Sequence, residues 1–182
     1  MYSVLPAVVS AVFLWYGGYV LAVKGFNRVS TSFFLLCLTT FFWQGTWAVL
    51  FQVHDSRMAM PLVRFGYLLI LFLPTALYQF LVEISERDDE RRWVYLSYAA
   101  CSILGFFDVG TDLFVSGYYD YFWGYYPKAG PLHPLHVLQT SVVVTRGLYI
   151  TWRAQQVAAH DHRTRLRMCA ASLLIYFFAA VD

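Results

Sequence analysis

Long uncharged, apolar stretches separated by short charged segments are the main pattern of the chain. They cover residues 4–23, 29–53, 65–82, 93–107, 129–145 and 168–181. A helix needs about 20 residues to cross the roughly 30 Å of hydrocarbon in a bilayer. The first two stretches reach this length, and the next three reach it by including one or two flanking charged residues. The pattern predicts an all-α fold, a polytopic helical membrane bundle with six spans.

The sixth stretch is shorter than a membrane span, because only 14 uncharged residues precede Asp182. We expect it to belong to a truncated sixth helix, with a seventh helix beyond the sequence given. Residues 1–182 would then form a single transmembrane domain that is incomplete at its C-terminus.

Basic residues are unevenly shared among the predicted loops. Three alternating loops carry nine of them: Lys24 and Arg28, then Arg87, Arg91 and Arg92, then Arg153, Arg163, Arg165 and Arg167. The other loops carry only Arg57 and Lys128. Because basic loops stay in the cytoplasm, we expect a multi-pass protein with its N-terminus outside.

Composition excludes a soluble enzyme, since 59% of the residues are hydrophobic and only 13% are charged, against about 25% charged in soluble domains. The net charge of +2 is too small to indicate a nucleic-acid partner. The three cysteines stand singly in apolar stretches, which favours packing roles over disulfides or thiolate metal sites. We expect neither a metal nor a cofactor.

The segment between the fourth and fifth stretches is unusually long and rich in aromatic residues, glycine and proline. Such loops are often folded caps or binding loops, so we predict an outer cap over residues 113–130. Trp123, Tyr125 and Tyr126 are candidates for stacking on a flat or cationic ligand. They are equally typical of the aromatic belt at a membrane interface.

Charged residues at the predicted outer helix ends form a second group of candidates. Arg64 lies near the outer end of helix three, and Asp108 and Asp112 lie one helical turn apart in helix four. A charge inside a span is costly unless it is paired or hydrated. We therefore expect Arg64 to pair with Asp108 or Asp112, either to bind a ligand or only to pack helices.

Two histidines, His133 and His136, share one face at the start of the predicted fifth helix. Two imidazoles without a third ligand do not define a metal site, so we predict hydrogen-bonded interfacial histidines that are candidates for ligand binding. Arg146 lies further along the same helix, where its long stem can reach the nearer membrane surface.

The run from Trp123 to Leu135, WGYYPKAGPLHPL, resembles the signature of the histidine kinase N-terminal seven-transmembrane region. Arg64, Tyr67, Pro74 and Phe80 match a second pattern of that family, and the segment FWQGTW over residues 42–47 is a weaker third match. The resemblance implies a bacterial inner-membrane module of seven helices, fused to a cytoplasmic output domain such as a histidine kinase or a diguanylate cyclase. The chain departs from the family in ending within helix six, so it carries no catalytic motif.

We therefore predict a signal-input (sensor) domain that detects an extracytoplasmic or membrane-borne stimulus. Its expected partners are the lipid bilayer, an unidentified small molecule and an output domain in the same chain, and a homodimer is compatible with the pattern. The domain itself is not expected to be an enzyme. A fragment of a transporter or channel is the alternative, although no internal repeat is evident. A retinal protein is disfavoured, since Lys24 and Lys128 both lie in predicted loops.

Overall fold

The computed structural model describes residues 2–180, with side chains described as far as residue 175. The elements are α1 (Val4–Lys24), α2 (Arg28–Leu50), α3 (Ser56–Ile84), a 3-10 turn (Asp88–Glu90), α4 (Arg91–Gly110), β1 (Val115–Tyr121), β2 (Gly124–Ala129), α5 (His133–Val157) and α6 (His160–Ala180). Each predicted stretch falls largely within one of the six helices.

Four of the helical segments are long and apolar enough to cross a membrane, judged by length and composition. These are α1, α2, α3 and the segment Asp88–Gly110 that includes α4. The finding supports a membrane protein. The fifth and sixth spans stay a prediction, because α5 and α6 are long but are not among these four in the described part of the chain.

Helix α1 lies at the edge of the fold and buries little beyond Ser10 and Gly17. A side chain at Gly17 would bring its Cβ within 2.6 Å of the Cβ of Cys37, so glycine permits the close packing of α1 on α2. Trp15 is 69% exposed on the opposite face. A large apolar side chain exposed in this way is expected on a helix that faces lipid.

Helix α3 is the central element, and it packs against α2, α4, α5 and both strands. Its 29 residues give it a length of about 43 Å. One apolar core surrounds its first half and includes Leu50, Val63 and Phe114. A second core surrounds its last turns and includes Tyr78, Val144 and Ile150. The two cores thus lie at opposite ends of α3.

The prediction of an all-α fold is wrong in the segment between α4 and α5. There the chain forms an antiparallel hairpin in which Tyr119 pairs with Tyr126 and Tyr121 with Gly124. Aromatic and β-branched residues favour extended backbone, and Gly124 takes the positive φ of 133° at the end of the turn. The hairpin lies within the predicted cap, residues 113–130. We call the end of the helix bundle that carries it the hairpin end.

Candidate functional site

The hairpin is attached to the end of α2 and to the loop that follows it. The hydroxyl of Tyr125 donates to the carbonyl oxygen of His54 at 3.1 Å. Tyr126 stacks on Trp47 with ring centroids 6.5 Å apart, and Trp123 meets Phe51 edge to face at 5.5 Å. These aromatic contacts hold the hairpin in a fixed position over α2.

The base of the hairpin closes tightly where its two ends meet. The amide of Gly130 donates to the carbonyl of Phe114 at 2.8 Å. A Cβ at Gly130 would lie 2.4 Å from the carbonyl oxygen of Leu113. Because backbone cannot move aside as a flexible side chain can, this crossing requires glycine.

A cleft of about 300 Å³ lies between the turn of the hairpin and the loop after α2. We call it the hairpin cleft; it is lined by Tyr2, Phe51, Val53, His54, Asp120, Tyr121, Phe122, Trp123, Gly124 and Tyr125. Of the predicted aromatic residues, Trp123 and Tyr125 line it, whereas Tyr126 does not.

The side chains that line the hairpin cleft are mainly aromatic, and one of them, Asp120, is acidic. Trp123 stacks on Tyr121 at 5.0 Å, and Asp120 is exposed beside them. No Lys or Arg lines the cleft in the described part of the chain. Burial, and after it the negative charge of Asp120, raises the pKa of the Tyr125 hydroxyl. The arrangement suits a flat or cationic small molecule.

Arg64 is paired with Asp112, as one of the two alternatives from the sequence predicts. Its Nη2 donates to Oδ1 of Asp112 at 2.6 Å, and its Nη1 donates to the carbonyl of Val109 at 3.1 Å. The second bond satisfies a carbonyl left free at the end of α4. Arg64 therefore joins α3 to the end of α4. The expectation that Asp112 shares a helical face with Asp108 is wrong, because α4 ends at Gly110.

Asp108 is completely buried, and neither of its carboxylate oxygens has a hydrogen-bond partner among the described residues. The pairing of Arg64 with Asp108 is therefore not the one formed. A buried polar group without a partner is costly. Asp108 is accordingly a candidate for a role other than helix packing, as an acceptor close to the hairpin.

His133 and His136 lie in the first turn of α5, with ring centroids 6.1 Å apart. Both pack against the fully buried Phe114, at 5.8 Å and 6.1 Å. Their Nδ1 atoms are buried without a hydrogen-bond partner among the described residues, so the prediction of hydrogen-bonded interfacial histidines is not met at these atoms. The described residues include no group of three or more His, Cys, Asp or Glu placed to hold a metal.

The predicted candidates thus fall into two groups at the hairpin end. One lines or borders the hairpin cleft. The other, which we call the base cluster, comprises Arg64, Asp108, Asp112, His133 and His136 around the foot of the hairpin. Phe114 packs on both histidines of the base cluster and belongs to the same apolar core as Tyr125 of the hairpin.

A further polar group at the opposite end of α3 was missed by the sequence analysis. Glu90 is 5% exposed and accepts hydrogen bonds from Tyr78 at 2.7 Å and from Nε and Nη2 of Arg146. The guanidinium of Arg146 also lies 4.6 Å from the ring centre of Trp93. Arg146 is therefore ion-paired within the bundle. An arginine within a predicted span is the sequence feature that could have indicated this ion pair.

A third polar group lies between these two ends, where α3, α4 and α5 meet. The amide of Gln139 donates to Thr75 at 3.0 Å and to Ser97 at 2.8 Å. The hydroxyls of Thr75 and Ser97 are themselves 2.6 Å apart, and the thiol of Cys101 donates to the carbonyl of Leu71 at 3.0 Å. Such bonds between helices contribute roughly 0.6–2 kcal/mol each in membrane proteins.

Comparison with known proteins finds no family model that matches the chain, and no curated protein or solved structure that is detectably similar to it. The resemblance to the histidine kinase N-terminal region therefore rests on its three motifs and stays a prediction.

Proposed function

We propose that this chain is a membrane-embedded signal-input domain, which reads a small molecule at the hairpin end and passes the signal along α3. One observation carries the proposal. Helix α3 contacts the hairpin through Tyr67 and Phe114, and its later turns hold Tyr78, which is bonded to the Glu90–Arg146 ion pair. A single helix thus connects the foot of the hairpin, whose turn lines the cleft, to the Glu90–Arg146 ion pair about 17 Å further along its axis.

The hairpin cleft is the proposed reading site. Its aromatic walls and the carboxylate of Asp120 favour a flat or cationic small molecule, and its volume of about 300 Å³ is near the lower limit of usual ligand pockets. The hairpin contacts α2 through Trp47 and the core around the first half of α3 through Phe114. A ligand that shifts the hairpin is therefore expected to shift α2 and α3.

Pro74 is the proposed point of bending in α3. A proline inside a helix removes one backbone hydrogen bond and commonly kinks it. Pro74 immediately precedes Thr75, which is bonded to Ser97 and Gln139 of the neighbouring helices. A ligand can shift the balance between two bends of α3 only by its differential affinity for them.

The remaining features of the proposal come from the sequence. The excess of basic residues in and beside the connections after α1, α3 and α5 supports a cytoplasmic location for these connections, with the N-terminus outside. Of these residues, Arg153 lies in α5, and Arg163, Arg165 and Arg167 lie in α6, not in a loop as the sequence predicts. The resemblance to the histidine kinase N-terminal region supports a bacterial inner-membrane location and a cytoplasmic output domain in the same chain, and a homodimer is compatible with this arrangement.

The experiment measures a distance at the end of the bundle remote from the hairpin cleft, with and without a probe or a substitution in the cleft. Spin labels at residues 88 and 160, where the native side chains are 74% and 93% exposed, report the distance between the start of α4 and the start of α6 in proteoliposomes. Phenyltrimethylammonium, a flat organic cation, serves as the probe. We expect it to quench part of the tryptophan fluorescence, a part that Trp123→Leu removes, and to shift the label distance, a shift that Trp123→Leu abolishes.

The matched control is Tyr119→Leu, which removes a half-exposed aromatic ring of the same hairpin that does not line the cleft. This variant should respond like the unmodified chain. A label distance that is unchanged by the probe and by Trp123→Leu alike would contradict transmission along α3. Flux of the probe into vesicles above that of empty vesicles would instead favour the transporter or channel alternative.

A further inference from the structure

A second cleft lies at the end of the bundle opposite the hairpin, between α1 and α6, with α2 and α3 between them. Its volume is about 420 Å³, within the roughly 300–1,000 Å³ of usual ligand pockets. We call it the lateral cleft. The cleft lies among helix ends, since Lys24 ends α1, Val29 and Ser30 lie in the first turn of α2, and Ile84 ends α3.

One part of the lateral cleft is apolar and aromatic. The rings of Tyr16 and Phe33 meet edge to face at 5.4 Å, and those of Phe33 and Phe80 lie 5.3 Å apart. Val20 completes this wall from α1. Apolar surface of this kind is complementary to a hydrocarbon chain and not to a free inorganic anion.

The other part of the lateral cleft is basic. Lys24 and Arg165 line it from α1 and α6, and both are exposed. Among the described residues, neither lies within 4.0 Å of an acidic oxygen, and no acidic side chain lines the cleft. The two unpaired cations suit the phosphate of an anionic lipid, and the apolar wall suits its acyl chain.

We propose that the lateral cleft binds one anionic phospholipid, with an acyl chain along Val20, Phe33 and Phe80 and the phosphate between Lys24 and Arg165. The apolar run of α1 ends at Lys24, which places this residue at the boundary between hydrocarbon and headgroups. Phe26, which is 87% exposed in the adjoining turn, anchors the same boundary. Basic pockets between membrane helices are known to hold anionic headgroups. The site is independent of the sensor function proposed above.

Native mass spectrometry of the purified chain tests the proposal with two defined lipids, dioleoylphosphatidylglycerol and dioleoylphosphatidylcholine. We expect the chain to retain the anionic lipid preferentially. The double variant Lys24→Gln/Arg165→Gln should lower this preference on the order of tenfold, since it removes two interfacial cations. The control Arg153→Gln/Arg167→Gln removes two exposed cations that do not line the cleft and should keep the preference.

A second variant addresses the apolar wall and does not alter charge. Val20→Trp fills the cleft and should reduce retention of the anionic lipid while thermal unfolding in detergent stays close to that of the unmodified chain. Excess inorganic phosphate should leave the lipid bound. Displacement of the lipid by phosphate, equal loss of preference in both double variants, or full retention by Lys24→Gln/Arg165→Gln and Val20→Trp would each overturn the proposal.

Discussion

Glu90 and Arg146 are 56 residues apart in sequence and form a paired carboxylate and guanidinium, with two nitrogens of Arg146 donating to the two oxygens of Glu90. The side chain of Glu90 is 7% exposed and that of Arg146 is 36% exposed. Tyr78 donates to the same carboxylate. The carboxylate of Glu90 therefore links three helices: the start of α4, the end of α3 and the middle of α5.

Loss of Arg146 is expected to destabilise the fold, because it leaves the buried carboxylate of Glu90 without its cation. We expect Arg146→Met to lower the free energy of unfolding by about 1–3 kcal/mol, less than for a fully buried pair because Arg146 is partly solvated. Thermal unfolding in detergent measures the change. The control Arg87→Met breaks an exposed pair with Asp89 and should cost less than about 1 kcal/mol. Equal losses in the two variants would show that the Glu90 pair has no special role.

Arg64 and Asp112 are expected to be energetically coupled. In a double-mutant cycle, Arg64→Gln and Asp112→Asn should show a coupling of about 0.2–1 kcal/mol, because Asp112 is 78% exposed and its pair with Arg64 is largely solvated. The unfolding free energies of the single and double variants give this value. Strict additivity of Arg64→Gln and Asp112→Asn would mean that the pair does not form in solution.

Asp108 is expected to respond differently from the other acid of the base cluster. Because its buried carboxylate lacks a partner in the described structure, Asp108→Asn replaces an ionisable buried group with a neutral one of the same size and should leave the unfolding free energy unchanged or raise it by about 1 kcal/mol. The same thermal unfolding assay applies, with Asp112→Asn as the exposed comparison. A loss of more than about 1 kcal/mol would show that Asp108 has a stabilising partner.

Gly130 is expected to be essential for seating the hairpin. In Gly130→Ala the new Cβ would lie 2.4 Å from the backbone oxygen of Leu113, so the crossing must open, at a cost of about 1–3 kcal/mol. Limited proteolysis of the hairpin and thermal unfolding report this opening. Gly110→Ala is the matched control, since a Cβ there meets no atom within 4 Å. Similar protease resistance in both variants would contradict the tight crossing.

The positions of the first four helices follow from the sequence because a segment that crosses hydrocarbon needs a minimum uncharged length. The exact helix ends do not follow in this way. The sequence predicts that Asp112 lies in helix four, because the run from Trp93 continues to it with few charges, yet α4 ends at Gly110 and Thr111 is extended. Because of this difference of two residues, Asp108 lies inside α4, whereas Asp112 lies beyond its end, where it pairs with Arg64.

Features that depend on distant residues were the ones missed. The hairpin requires pairing between Val115 and Ala129, and its glycines and prolines are equally typical of an irregular loop. The Glu90–Arg146 pair depends on how α4 and α5 pack, which no local pattern specifies. The candidate residues at the hairpin end were predictable because charged and aromatic residues are rare near a span and stand out there.

The orientation of the chain is the last prediction, and it follows from the uneven distribution of basic residues. Single cysteines replace Asp88 and Ser116, both exposed, in a variant without Cys37, Cys101 and Cys169. Because basic loops stay in the cytoplasm, a membrane-impermeant thiol reagent should label residue 116 of the hairpin in intact cells and residue 88 only after the membrane is opened. The two sites lie at opposite ends of the bundle, so each serves as the accessibility control for the other. Labelling of residue 88 but not of residue 116 in intact cells would reverse the orientation and place the hairpin cleft in the cytoplasm.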